Sequence, residues 1–236
     1  MTPRDALLDR VDTWVFDLDN TLYPAACNLF AQVDRRMTAF IADAFDLPSD
    51  QARALQKTYF RTHGTTLRGL MVEHGMDPAA FLDYVHDIDV TCVPESPDLD
   101  TALARLPGRK VIFTNGSTKH AERVLTRLGV ADRFDAVWDI VASDYLPKPA
   151  DASFDRIVAD LAIEPRRAVM VEDLAINLLP AHQRGMTTVW VDTGVGWAAP
   201  ADDATHIDIR IDDVASWLYG LVDGFGATAT PPKPQA

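Results

Sequence analysis

Apolar residues along this chain follow two rhythms, and the change between them marks its organisation. Trp14-Val15-Phe16 is a short, β-prone run that stops at Asp17, so it reads as a buried strand. From about Leu22 to Val93 nothing else reads as a strand. Leu29, Val33, Met37, Phe40, Ile41 and Ala44 instead recur at helical spacing, ending near Asp46-Leu47-Pro48. Ser49 reads as the N-cap of a second helix through Leu55 and Tyr59, broken at Gly64. Leu67, Leu70 and Met71 mark a third, ended by Gly75, and Asp77-Pro78 opens a fourth through Phe81, Leu82 and Val85. Phe60, Leu70 and Phe81 read as the interior of this small bundle.

Val93-Pro94-Glu95-Ser96-Pro97 punctuates the return, and helices and strands then alternate, the pattern of a parallel sheet. Strands are expected at Lys110 to Thr114, Ala136 to Val141, Ala168 to Val171, Thr187 to Val191 and, at an edge, Ile207 to Ile211. Helices are expected at Leu99 to Leu106, Ser117 to Leu128, around Phe154 to Leu161, from Ala175 to Arg184 and from Val214 to Val222. The chain thus divides into an α/β core at 1–21 and 95–224, a helical insert at 22–94, and a tail at 225–236 too poor in apolar residues to repay ordering.

Composition narrows the function. The 236 residues carry 22 Lys plus Arg against 35 Asp plus Glu, a formal charge of −13, so no basic surface is available for nucleic-acid polymers or anionic membranes. A small phosphorylated substrate remains compatible, because one lysine and a metal ion can reverse the local field. Cys27 and Cys92 sit in no metal or CxxC pattern and read as reduced thiols. The N-terminal residues lack a signal-peptide core and no run approaches a membrane span, so a cytoplasmic location is expected.

The chemistry lies just past the strands. The first ends in Asp17 and Asp19, the second in Thr114, Asn115 and Gly116; Lys148 follows the third, and the next ends in Glu172 and Asp173. In a parallel sheet those ends share one edge, where ligands bind. Paired carboxylates beside a core need a cation or hydrogen bonds; the alternative is a turn in which Asp19 and Asn20 only cap the next segment. Together the four positions make a coherent phosphoryl-transfer site: a nucleophilic Asp, a second Asp to move the proton, Thr114 with nearby backbone N–H groups to hold phosphoryl oxygens, and Lys148 as fixed positive charge. Gly194-Val195-Gly196 lacks the third glycine of a dinucleotide site.

These motifs resemble those of the haloacid dehalogenase-like (HAD) hydrolases: Asp17-Leu18-Asp19-Asn20-Thr21, Phe113-Thr114-Asn115-Gly116, Lys148-Pro149, and Val171-Glu172-Asp173 with Asn177. The resemblance implies a Rossmann-like parallel sheet with the insert as an α-helical C1 cap. It implies Mg²⁺ held by Asp17, by Asp19 through its carbonyl, and by Asp173, with Glu172 and Asn177 supporting the metal and its waters. Asp17 would be the nucleophile and Asp19 the general acid/base; Thr114, Asn115 and Lys148 would hold phosphate. The family often has an acid where Asn177 stands. Its dehalogenase branch lacks the acid found here at Asp19, which favours a phosphatase. The stretch from Tyr59 to Leu70, with Asn20 to Pro24, is similar to the pyrimidine 5′-nucleotidase branch, implying UMP- or CMP-like nucleoside monophosphates, with His63 and Arg68 as candidate cap contacts. Another small ester, such as a sugar phosphate or phosphoglycolate, is the alternative substrate, and a catalytically silent HAD-fold binding protein the alternative of another class.

Overall fold

The computed structural model describes residues 3–201 and 204–223. Six strands form one sheet: β1 (Thr13–Phe16), β2 (Arg109–Phe113), β3 (Ala136–Trp138), β4 (Ala168–Glu172), β5 (Thr187–Val191) and β6 (Ile209–Ile211). Their order is β3-β2-β1-β4-β5-β6, with every neighbouring pair parallel. The expected Rossmann-like α/β fold is therefore borne out. Because β1 is central, flanked by β2 and β4, the residue after it lies at the point where the strand order reverses.

The helices are α1 (Pro3–Arg10), α2 (Leu29–Phe45), α3 (Ser49–His63), α4 (Thr66–His74), α5 (Pro78–Val85), α6 (Pro97–Arg105), α7 (Thr118–Leu128), α8 (Asp151–Asp160), α9 (Ala175–Gln183) and α10 (Val214–Val222). Both faces of the sheet are covered, which is why its central strands carry buried apolar residues in succession, whereas edge strand β6, Ile209-Arg210-Ile211, alternates. Trp14, Phe16, Ile112 and Val171 join one core with α6, α7 and α10, whereas Val15, Val111, Phe113 and Met170 join a second with α8 and α9.

Helices α2 to α5 lie between β1 and β2, with α2 packed on α3 and α5, and α3 on α4. Their apolar stripes, Leu29, Val33 and Ile41 on α2 and Phe81, Leu82 and Val85 on α5 among them, are continuous with the first core. Helices α3 and α4 cross at Gly69, where an added Cβ would come 2.4 Å from Tyr59, so only glycine fits.

The structure departs from the sequence reading where side chains reach across elements. Pro3–Arg10, given no element above, forms α1, which has no apolar stripe to announce it. Strand β3 stops at Trp138, not Val141, because the Asp139 carboxylate turns the chain: it accepts from Val141 N at 3.0 Å, Ala142 N at 2.9 Å and Thr118 N at 2.8 Å. Pro48 takes the cap position expected of Ser49, which becomes the first residue of α3. Leu70 and Phe81 are buried as expected, but Phe60 is 39% exposed. The tail expected to be disordered, 225–236, lies outside the described residues. No helix among the described residues is long and apolar enough to cross a membrane.

Candidate active site

Strand register assembles the site. Phe16 pairs with Ile112 and with Val171, so Asp17, Phe113 and Glu172 come level at the carboxyl edge, where Asp17 N donates to Val171 O at 2.9 Å. Lys148 reaches this edge from the segment leading into α8. Its Nζ donates to Asp17 Oδ1 at 2.7 Å, Glu172 Oε2 at 2.6 Å and Phe113 O at 2.7 Å, which uses all three ammonium donors. Asp17, Lys148, Glu172 and Asp173 are all buried.

Other expected members hold the frame. Thr114 Oγ1 accepts from Gly116 N at 2.9 Å, which leaves the hydroxyl hydrogen free to donate. Asn115, expected on a phosphate oxygen, uses its side chain to clamp Lys148: its Oδ1 accepts from Lys148 N at 2.8 Å and its Nδ2 donates to Lys148 O at 3.2 Å. Asn177 is buried in the first turn of α9, just after Glu172-Asp173.

Charge at the site is unbalanced. Asp17, Glu172 and Asp173 each place an oxygen within 4.8 Å of the others, and among the described residues the only cation bonded to them is Lys148. Burial, then repulsion from Glu172, pushes the carboxyls of Asp17 and Asp173 above the usual carboxylate range. Burial opposes the Lys148 ammonium, but its two carboxylate partners outweigh that and hold its pKa above the usual lysine value. Buried, all-oxygen donors carrying excess negative charge fit a hard divalent cation. Mg²⁺ at a hundredfold excess over its dissociation constant is expected to raise the melting temperature by roughly 5–10 °C. Asp173→Asn should melt no lower than wild type without the cation and should lose most of that rise. An equal rise in the variant would exclude Asp173 as a ligand.

Asp19 stands apart from this cluster. Its Oδ1 accepts from Tyr23 OH at 2.6 Å and from His120 Nε2 at 2.8 Å. Burial opposes its ionisation, yet the charge and hydrogen bond of His120, with the Tyr23 hydrogen bond, hold its carboxyl down to about 2. The sequence reading gives no role to His120, and it places Thr21 and Tyr23 in motif stretches without their partners; Thr21 Oγ1 donates to Asp17 Oδ2 at 3.0 Å. Tyr23 and Thr21 each lie four residues after the aspartate they bond, a spacing that could have found them; His120 lies 101 residues from Asp19 and carries no such sign.

Neither candidate contact from the insert is joined to the carboxylates. His63 Nε2 lies 3.3 Å from Glu73 Oε1, with its ring edge-on to Tyr59. Arg68 lies in the first turn of α4, where its backbone N donates to the capping Thr65 Oγ1 at 3.1 Å. Gly64 does approach the site: at φ +82°, an added Cβ would stand 3.2 Å from Pro147 Cγ, so the end of α3 lies against the Lys148 loop.

The family of haloacid dehalogenase-like hydrolases matches residues 11–183. The chain belongs to that family. This HAD hydrolase is 28% identical over 189 residues to phosphate metabolism protein 8 of Saccharomyces cerevisiae, a match covering 72% of this chain and only 58% of that relative's length. Its fold is similar to the HAD-hydrolase YfnB of Bacillus subtilis bound to magnesium, with TM-score 0.60, 14% identity, and coverage of 91% of this chain and 99% of that one. It is similar also to the L-2-haloacid dehalogenase of Xanthobacter autotrophicus, with TM-score 0.55, 18% identity, and coverage of 91% and 99%. At those identities the structural likeness is one of fold. The resemblance read from the four strand-end motifs is borne out at the level of the family.

Proposed function

We propose that this HAD hydrolase is a Mg²⁺-dependent phosphomonoesterase acting on nucleoside monophosphates, with pyrimidine nucleotides such as UMP and CMP preferred. The observation that carries the reading is the division of labour between two aspartates. Asp17 lies in the carboxylate cluster with Lys148, while Asp19 is held two residues away by its own donors. The name of the yeast relative and the magnesium bound in the Bacillus neighbour support the same reading. The cytoplasmic location belongs to this proposal and agrees with two free thiols at Cys27 and Cys92.

Asp17 attacks phosphorus through a carboxylate oxygen, forming an aspartyl phosphate as the ester oxygen leaves with a proton from Asp19. Water that has given its proton to Asp19 then attacks phosphorus and frees Asp17. Asp17, the Asp19 carbonyl and Asp173 would hold Mg²⁺, with Glu172 and Asn177 beside them. When bound, the ion neutralises phosphate charge that the cluster would otherwise repel. Lys148, its three N–H groups already taken by Asp17, Glu172 and Phe113 O, would act on the phosphoryl group through its charge, the Thr114 hydroxyl would donate to a phosphoryl oxygen, and Asn115 keeps Lys148 in place. Without substrate Asp19 is ionised, the form that takes the proton of water; an arriving phosphate dianion raises its pKa and favours the acid form needed first.

Helices α2 to α5 would serve as the cap that excludes water and selects the leaving group. The nucleoside part of the proposal rests on an aromatic pair at the seam between insert and core. Phe60, one turn before Gly64, meets Trp197 edge to face at 6.0 Å, and the two are 39% and 68% exposed. Trp197 sits in the loop whose Ala198 O accepts from Ala175 N at 3.0 Å, two residues after Asp173. A large exposed indole at that place offers a face on which a base can stack. The test is kcat/KM with Mg²⁺ across UMP, CMP, AMP, a sugar phosphate and phosphoglycolate. Pyrimidine nucleotides are expected to lead, and Trp197→Ala to raise KM for UMP about tenfold, as loss of one stacked base implies, while changing phosphoglycolate turnover far less. A baseless ester leading the panel would overturn the nucleotide assignment.

A further inference from the structure

Resting on the reading of Asp19 as the group that moves the leaving-group proton, we infer that His120 is a positioning residue for that carboxylate, clamping Asp19 Oδ1 so that Oδ2 is the oxygen turned to the substrate. Two donors meet on Oδ1, Tyr23 OH at 2.6 Å and His120 Nε2 at 2.8 Å, and no hydrogen bond within the protein reaches Oδ2 among the described residues. An ionised carboxylate only accepts, so Nε2 carries the ring hydrogen. A carboxylate held at one oxygen by two donors cannot exchange its oxygens freely, and a proton it carries must sit on the other.

His120 has little other use. Its side chain is fully buried, and its Nδ1 has no hydrogen-bond partner, so the imidazole makes a single hydrogen bond and that bond goes to Asp19. Burying an unpaired ring nitrogen is unfavourable, and a leucine would fill the same space without that penalty. The two clamps also come from different elements. Tyr23 belongs to the same loop as Asp19 and moves with it, whereas His120 stands on α7 and ties Asp19 to the helix that follows β2.

A second ring fixes the first. His86, at the end of α5 in the insert, stacks on His120 with centroids 4.4 Å apart and planes 11° from parallel. Its Nδ1 pairs with Ser117 Oγ at 2.9 Å, while Arg123 of α7 donates to His86 O at 2.7 Å and Ile88 O at 2.5 Å. The position of the insert is thereby transmitted to the orientation of Asp19 through two stacked imidazoles.

The test compares kcat/KM, which reports only the steps up to departure of the leaving group, for UMP and for p-nitrophenyl phosphate in Mg²⁺. An alkoxide needs a proton to leave and a nitrophenolate does not, so a fault in the acid shows on UMP alone. If the panel prefers another alkyl ester, that ester replaces UMP. His120→Phe keeps a ring in the stack without the donor, and should lose about tenfold to hundredfold more on UMP than on the aryl ester. His120→Gln, which returns an N–H near the Nε2 position, should recover most of that difference; His120→Leu carries the same comparison if the phenyl ring prevents folding. Asp19→Asn is the reference. An excess loss on UMP in Asp19→Asn without one in the His120 variants overturns the inference alone. Equal losses on both esters in Asp19→Asn overturn the acid role of Asp19, and the inference with it.

Discussion

Asp17→Asn is expected to lower phosphate release by about 10⁴-fold or more while leaving the protein folded. The amide keeps the shape of the carboxylate and can still meet Thr21, but it cannot attack phosphorus. The fold should tolerate the change because the native carboxyl is already strained by burial and by Glu172, which raise its pKa. Stability from such a group is complete below the ordinary carboxylate pKa and fades as pH rises through the higher native value. Near neutral pH the ionised Asp17 therefore opposes folding, and the uncharged variant should melt at the same temperature as wild type or higher. Kinetics and thermal melts on one preparation check both halves. A folded variant that keeps Mg²⁺-dependent turnover would remove Asp17 from the role of nucleophile.

Lys148→Met is expected to be the most destabilising single change in the site. It leaves Asp17 and Glu172 buried without the ammonium now 2.7 and 2.6 Å away. Breaking a buried pair on one side costs about 3–5 kcal/mol, which for a domain of this size lowers the melting temperature by on the order of 10 °C. The native lysine pKa lies above its ordinary 10.5, so the stabilisation it gives is fully present below that value and is lost only in strong alkali. In the variant, mild acid should restore part of the stability by protonating the orphaned carboxylates, and Mg²⁺ should restore part by replacing the missing charge. Activity should remain lost in both conditions, because neither returns the fixed ammonium that the proposed mechanism places beside Asp17. A variant that melts with wild type would show that the cluster is neutralised by some other means.

How much of this was legible beforehand depended on whether the cause was local. Strands β1, β2 and β4 are largely apolar runs that end at residues of chemical consequence, and Lys148-Pro149 stands out in the segment after β3, so Asp17, Thr114, Lys148 and Glu172 are visible without coordinates. Helices with a stripe and a cap, such as α5 with Asp77 accepting from Ala79 N, were equally plain. What failed was reach across the chain. Asn115 stands out as part of the second motif, but only the fold shows both ends of its side-chain amide occupied by a backbone 33 residues away. Asp139 looked like a residue within a strand, yet its carboxylate caps α7 and ends β3. His120 falls inside the expected helix from Ser117 to Leu128 and His86 just past Val85, and no periodicity links either to Asp19. Phe60 reads from the sequence as interior to the insert, and its place at the seam with Trp197 emerges only when insert and core are packed together.

The central claim is that phosphate passes through Asp17. Quenching the enzyme with acid during turnover of its best phosphate ester in Mg²⁺, then mapping the modified peptide by mass spectrometry, tests it most directly. A phosphoryl adduct on Asp17, absent from Asp17→Asn and from enzyme stripped of divalent cations, is the predicted result. An adduct on another residue, or full turnover with no adduct under quench conditions that preserve acyl phosphates, would contradict it.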